Sequence, residues 1–180
     1  MERAKWTLDL SHSDIQFKIR HLVIANISGY FRAFSGTMYA GKDDFTDAEF
    51  KLAVDVYSVD TNNVERDEHL KSADFFNADY YPEMEFVSQS FNHIDGDRYD
   101  LTGNITIKGI TRPITFKVLF GGEAKDGFGN MRAGFDVSGE VNRNDFDIHS
   151  NDTTEAGGLV LGEEIKMHAN IQFVKETDYN

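Results

Sequence analysis

Apolar and polar residues alternate along most of this chain. That is the signature of strands with one buried face, because successive side chains in a strand point to opposite sides. Trp6, Leu8 and Leu10 alternate with Thr7 and Asp9, and Ile15, Phe17 and Ile19 with Gln16, Lys18 and Arg20. Phe50, Leu52, Val54 and Val56 repeat the pattern, as do Tyr99, Leu101, Ile105 and Ile107, then Ile114, Phe116, Val118 and Phe120. Ala133, Phe135, Val137 and Val141 follow, and Ile165, Met167, Ala169, Ile171 and Phe173 close the series. Turn-forming clusters separate these runs, among them Asp95-Gly96-Asp97, Gly121-Gly122 and Asp126-Gly127-Phe128-Gly129-Asn130. Neighbouring strands are therefore expected to pair as hairpins in a long antiparallel meander. About eight strands with one apolar face each must close on themselves or stack as two sheets, and alternation alone does not choose. Gly29, Gly36, Gly103, Gly134 and Gly139, all inside strands, favour a barrel, since sharp strand curvature needs glycine or bulges.

Two stretches break the alternation. Between Asn62 and Ala73, Asn62 or Asn63 can cap, Glu65 sits in the first turn and helix-favouring residues fill the middle, which predicts a short helix. Its apolar stripe is thin, Val64, Leu70 and Ala73 followed by Phe75 and Phe76, so the helix should rest across one end of the sheet structure and not thread its core. A helix placed there would seal the interior of a barrel. The second stretch, residues 142–162, is polar and glycine-containing and predicts a long loop or short helix of the kind that often carries function.

With 180 residues and no shift in composition, one domain with a sizeable core is expected. The net charge of -13 and a pI near 4.7 oppose association with phosphate backbones and anionic lipid surfaces, so no nucleic-acid partner is expected. There is no cysteine, which removes disulfides, thiolate catalysis and sulfur-ligated zinc. The N-terminus lacks the apolar segment of a secretory signal, and no run approaches the ~20 apolar residues of a membrane span. As it stands the sequence fits a cytoplasmic protein without stable membrane insertion, or a periplasmic one whose signal was removed.

Candidate chemistry is sparse. No phosphate-binding glycine loop, nucleophile elbow or HExxH motif occurs, and the six histidines never fall at ligand-like spacing. Asp145-Phe146-Asp147-Ile148-His149 begins like a calcium loop, but Ser150 and Ala156 stand where that loop needs glycine and glutamate. Arg66-Asp67-Glu68-His69 offers an acid, a base and a cation within one helical turn, a set that more often forms local ion pairs and caps. Ser11-His12-Ser13 is ambiguous in the same way: adjacency in sequence does not make a nucleophile and base, since adjacent strand residues point opposite ways, and a structural hydrogen-bonding role for His12 fits better. The aromatic supply is more informative. Fifteen Phe against one Trp suggests an aromatic interior drawn from Phe17, Phe31, Phe34, Phe86, Phe116, Phe135, Phe146 and Phe173, which either packs solid or leaves an apolar cavity. Eight strands is the size at which a barrel just holds one small ligand.

Arg66-Asp67-x-His69-Leu70-x-Ser72-x-Asp74-Phe75-Phe76, followed by Tyr81-Pro82-x-Met84-x-Phe86, resembles the middle of the YceI-like family of polyisoprenoid-binding proteins. Upstream, Asp9-x-Ser11-His12-Ser13-x-Ile15-x-Phe17 and Gly29-x-Phe31-x-x-Phe34-x-Gly36 resemble its opening strands. Downstream, Leu101-Thr102-Gly103-x-Ile105-Thr106-Ile107-x-Gly109-Ile110-Thr111 and Asn142-Arg143-x-Asp145-Phe146 resemble its later ones. The resemblance covers residues 5–175 and implies an all-β fold, an eight-stranded antiparallel lipocalin-like β-barrel with a short helix inserted between strands. It also implies an elongated apolar cavity for an isoprenoid, an isoprenoid quinone or another long-chain amphiphile such as a fatty-acid derivative. One position departs: Asp147 stands where the family pattern has glycine, a carboxylate placed to alter the rim or the head group accepted.

The function expected from residues and resemblance together is a non-enzymatic carrier or store of such a lipid, with no cofactor besides the bound ligand. The expected cavity lining is Phe17, Ile19, Phe31, Phe34, Phe86, Ile105, Ile107, Phe116 and Phe135. The expected polar mouth is His12, Arg66, Asp67, His69 and Arg143. A rival reading is a small barrel enzyme acting on a lipid or quinone, with His69 and Asp67 or Asp74 as acid/base groups. A third is a packed barrel that serves as a protein-binding surface in a stress response. Monomer and homodimer both stay open.

Overall fold

The alternating segments become strands, and in a computed structural model that describes residues 2–22, 24–149 and 161–177 they close on themselves. In chain order these are β1 (Ala4–Leu8), β2 (Asp14–His21), β3 (Ala25–Phe31), β4 (Phe34–Ala40), β5 (Glu49–Asp55) and β6 (Val59–Asp60), followed by one α-helix, α1 (Val64–Lys71). The longer strands β7 (Glu83–Asp95), β8 (Arg98–Ile107), β9 (Ile110–Lys125), β10 (Met131–Asn142) and β11 (Leu161–Lys175) complete the wall. Antiparallel pairing runs through β1, β4, β5, β7, β8, β9, β10 and β11 and returns to β1, which makes a closed eight-stranded barrel. Closure removes free edges from that ring and decides between barrel and sandwich.

β2, β3 and β6 extend the wall on one side. The end of β11 pairs with β1 (Leu8 opposite Phe173) and its beginning with β2 (Phe17 opposite Met167, Ile19 opposite Ile165). β1 and β2 are thus two halves of one wall strand, divided by a 3-10 turn at Leu10–His12. The sequence pattern puts Leu10 on the buried face; the structure puts it in that turn, exposed. The Asp9 side chain accepts the Ser11 amide at 3.1 Å, a local bond that competes with the strand ladder and ends it. β3 and β4 are likewise two halves broken at Arg32 and Ala33, where Arg32 N–H donates to the Ser58 carbonyl and Asp55 N–H to the Ala33 carbonyl. A bulge at Gly134/Phe135 bends β10 against β9, the curvature for which a strand glycine is suited.

The two ends of the barrel close differently. At one end lies α1, capped by Asn63, whose side chain accepts the Arg66 amide at 3.0 Å. None of its residues is fully buried, Val64 points to solvent, and Leu70 alone of its apolar residues packs against the core. It rests on the barrel without entering it, as its thin stripe predicts. The plug lies at the opposite end and is a loop. Residues 41–48, between β4 and β5, fold under the barrel, held by Asp47 accepting the Gly41 and Lys42 amides at 2.9 and 3.1 Å and by Tyr99 Oη donating to the Asp44 carbonyl at 3.0 Å. Phe45, 1% exposed, drives its ring between Trp6 and Phe120, with centroids 5.5 and 5.1 Å away.

Candidate functional site

Above that plug the interior is hollow. A cavity of about 420 Å³ fills the upper barrel, within the ~300–1,000 Å³ of typical small-molecule sites. Its floor is Phe50, Phe91, Phe135 and Phe173, rings packed on one another at centroid distances of 5.2 to 5.9 Å. Its wall includes Phe17, Ile19, Phe31, Phe86, Ile105, Ile107 and Phe116. Along β11 the lining runs from Leu161 to Phe173. At ~3.3 Å per residue and a ~40° strand tilt, that is a depth of about 30 Å along the barrel axis.

Glycines keep this end open. Phe17 lies over Gly29, its direct cross-strand partner, so close that a Cβ at Gly29 would sit 2.4 Å from the ring. Phe116 covers Gly139 at 2.5 Å, and at Gly103 a Cβ would meet first the Val87 carbonyl at 2.3 Å and then the ring of the diagonal neighbour Phe86 at 2.7 Å. In a barrel, cross-strand neighbours on the inner face point to the same side. A ring leaning on a missing side chain therefore lies flat along the wall and leaves the lumen clear. The expectation that strand glycines serve curvature holds at Gly134; at Gly29 and Gly139 their use is room for an aromatic ring, and at Gly103 room for the Val87 carbonyl as well as the Phe86 ring.

The polar groups gather at the helix end, where exposed His69 and Asp74 belong to the lining and mark the mouth. His69 Nε2 lies 3.0 Å from the Asp74 carboxylate, and the imidazole stands edge-on to Phe75 at 4.9 Å. Arg66, also in the lining, donates from Nε to Thr61 Oγ1 at 2.7 Å and from Nη2 to the Thr61 carbonyl at 2.6 Å. Thr61 is buried, and the same residue gives its amide and hydroxyl to Asp67 at 2.9 and 2.5 Å. Arg66 and Asp67 together fasten α1 to the end of β6. Arg143 is buried and holds the opposite rim, donating to the carbonyls of Gly162 and Ile148, each at 2.9 Å, and of Leu161 at 3.5 Å. Burial lowers its pKa from the usual arginine value, while Glu163 pulls it back up.

The structure brings together Phe17, Ile19, Phe31, Phe86, Ile105, Ile107, Phe116 and Phe135, and at the mouth Arg66, His69 and Arg143. Three residues expected there stand elsewhere. Phe34 begins β4 beyond the break at Arg32 and Ala33 and is buried in the packed core, not in the cavity wall. Asp67 turns from the cavity to cap Thr61. His12, in the turn between β1 and β2, bonds Asp9 at 2.8 Å and Ser11 at 3.1 Å on the outer wall, beside Gln172 at the level of the cavity floor. Leu70, Phe76, Met84, Ile165 and Met167 line the cavity and are absent from the expected set. Ile165 and Met167 follow from the same alternation that gives Phe173, and Leu70 and Phe76 from the helix stripe. What the alternation lacks is height along the barrel.

Asp147 adopts φ 56 and ψ 36, the left-handed conformation that glycine takes freely and aspartate tolerates better than most residues. Its carboxylate is exposed and 3.0 Å from His149, and its carbonyl accepts from Lys108 Nζ at 2.8 Å. It sits outside the lining and makes a rim contact. Of the long irregular stretch, residues 143–146 form a 3-10 turn, and residues 150–160 lie outside the described residues. Among the described residues, no group of three or more His, Asp or Glu side chains is placed to hold a metal, and no helix is long and apolar enough to cross a membrane.

Comparison with known proteins adds a family. The YceI-like domain matches residues 6–173. A UPF0312 protein of Staphylococcus epidermidis is 37% identical over 171 residues, covering 94% of this chain and 97% of the relative. Among solved structures, a Campylobacter jejuni YceI protein superimposes with a TM-score of 0.74 at 29% identity over 88% of this chain and 90% of that one. A polyisoprenoid binding domain from Saccharophagus degradans, implicated in plant cell wall breakdown, gives a TM-score of 0.72 at 14% identity over 95% and 98%, a likeness of fold.

Proposed function

The chain belongs to the YceI-like family, and from that premise we propose that it binds one long apolar chain, a prenyl lipid, an isoprenoid quinone or a fatty-acid derivative, and carries or stores it without chemical change. The observation that supports this most is the shape and lining of the cavity: a deep, mostly apolar shaft with an aromatic floor, and with Arg66, His69, Asp74 and Arg143 at its rim. Each CH₂ moved from water into such a shaft contributes ~0.8 kcal/mol, so affinity comes from the tail. The polyisoprenoid binding named for the Saccharophagus degradans domain fits a tail of this class. No cofactor is needed.

The geometry at the mouth also favours binding over catalysis. Asp67 is occupied by the Thr61 amide and hydroxyl, and His69 and Asp74 bond each other on the exposed rim. A base that served a reaction inside the shaft would have to reach a substrate atom at hydrogen-bond distance; the floor is Phe50, Phe91, Phe135 and Phe173, and His168, the histidine of the lower wall, is engaged by Asp136 at 3.0 Å.

Native mass spectrometry of the purified chain, followed by solvent extraction, tests the reading. A stoichiometric adduct that releases a prenyl, quinone or fatty species is the expected result, and His69→Ala should keep it. A bare mass that stays bare after incubation with lipid extract would overturn the carrier reading. A released species that differs chemically from the lipid supplied, with the conversion lost in His69→Ala, would replace it with the enzyme.

A further inference from the structure

We infer that the tip of the β2–β3 hairpin is a docking surface for a phospholipid bilayer, through which the cavity exchanges its cargo; this rests on the lipid-binding reading above. Three observations meet there. The tip is apolar and exposed: Ile24 is 86% and Leu22 39% accessible, the latter at φ 54, a conformation bulky residues rarely adopt. The tip is continuous with the mouth, since His21 and Ile27, which flank it, are in the cavity lining and Ile19 pairs with Ile27 just below.

The third observation is charge. The chain holds 31 acidic residues in 180, about one in six, yet residues 15–42 contain none, while Lys18, Arg20, Arg32 and Lys42 fall inside that run. Arg32 is spoken for by Asp60 at 3.1 Å. Lys18 is exposed on the hairpin, and Lys166 stands opposite it on β11. Acid returns on β11 at exposed Glu163 and Glu164, which confines the footprint to the hairpin.

An acidic protein is repelled as a whole by phosphate groups. A protruding finger without carboxylates, with aliphatic side chains at its tip and cations on its stem, suits the level where acyl chains give way to phosphates, the long basic side chains reaching back to the headgroups. Another exposed apolar tip, Phe128 between β9 and β10, lies at the plugged end and beside Asp126, so it shares neither the mouth nor the charge pattern. Because the cargo proposed above resides in membranes, the same finger that touches the bilayer leads it along Ile27 and Ile19 to Phe17.

The test is flotation of the 180-residue chain with phosphatidylcholine vesicles, wild type against Ile24→Asp and the milder Ile24→Ser, with circular dichroism and native mass measured on each. The vesicle-bound fraction should fall about tenfold or more in Ile24→Asp, the scale of losing one buried isoleucine, and less in Ile24→Ser. Both variants should keep the fold and the bound lipid and differ from wild type in the rate of lipid transfer to vesicles. Wild type that fails to float, or Ile24→Asp that floats equally well, overturns the inference. So does a wild-type dimer that Ile24→Asp converts to monomer with flotation unchanged, which would make the tip an interface between copies. A missing lipid adduct in every variant counts against the carrier reading alone, because docking does not require an occupied shaft.

Discussion

The two ends of this barrel are built from the same materials and behave as opposites. At the plugged end, Trp6, Phe45, Phe50, Phe91, Tyr99, Phe120, Phe135 and Phe173 stack and tilt on one another with centroids 4.5 to 6.1 Å apart. At the open end, Phe17, Phe86 and Phe116 lie over glycines in the cavity wall, Phe86 edge-on to Phe116 at 5.3 Å and Phe17 beside Phe31 at 5.4 Å. Phe17 faces Gly29 across the strand and Phe116 lies over Gly139, so each ring can rest against backbone. Phe86 reaches Gly103 diagonally, with Leu52 and Ile105 directly opposite it. At the other end the plug loop brings Phe45 into the axis, where the neighbouring rings meet it. The same phenylalanine is core in one half and wall in the other.

The largest test of that contrast is Phe45→Ala. It deletes the ring that joins the loop to Trp6, Phe120 and Phe135, and a buried Phe→Ala change costs about 3–5 kcal/mol. Denaturant unfolding should show that loss. Phe116→Ala, made in a wall that already borders empty space, should cost less than about 2 kcal/mol, because little new cavity surface is created. Equal losses at the two sites would mean that the shaft is filled in solution.

Gly139→Val attacks the other side of the comparison. The new side chain meets the Phe116 ring at 2.5 Å, so the ring must swing inward, with an overpacking cost of about 1–3 kcal/mol. Lipid retention should fall about tenfold or more, since the loss of two methylene contacts at ~0.8 kcal/mol each is enough. The double variant Gly139→Val/Phe116→Ala removes the offending ring and should recover most of the retention. Unchanged retention in the single variant would show that Phe116 does not set the bore.

Much of this was legible in the sequence, and what was not has a physical cause. Alternation fixes which face of each strand is inward, so eight of the nine expected lining residues reach the cavity wall. It does not fix which inward residues their neighbours cover: Phe34 stands opposite Val54, a lining residue, and is itself buried in the core. The helix was visible from Asn63, Glu65 and the loss of period 2. The plug was not: Phe45 sits at φ 60 in a loop whose only sequence signal is a lone aromatic among Asp43, Asp44 and Asp47. Polar roles were hardest, because the Arg66, Asp67 and Thr61 cluster is held by bonds to backbone that composition cannot assign to mouth or cap.

The smallest predicted effect separates the ends by pH. At the plugged end Arg132 bonds Asp9 and Asp126, each at 2.8 Å, and Gln172 at 2.8 Å, joining β10 to the β1–β2 turn, the β9–β10 turn and β11. The guanidinium holds Asp126 at a pKa of about 2 and Asp9 below the usual carboxylate range. Carboxylates depressed on folding stabilise the native state above their ordinary pKa, near 3.8, and lose that contribution as pH falls through the folded value. Arg132→Met should therefore lower the Tm at neutral pH by an amount that stays level down to about pH 4, shrinks as pH falls from there through about 2, and vanishes only below that. The shaft is lined by groups without such a linkage to Arg132, so lipid retention in this variant should match wild type across the same range. A retention loss that tracks the Tm gap would mean that plug and shaft do not behave as separate halves, and that the floor of Phe135 and Phe173 transmits strain from one to the other.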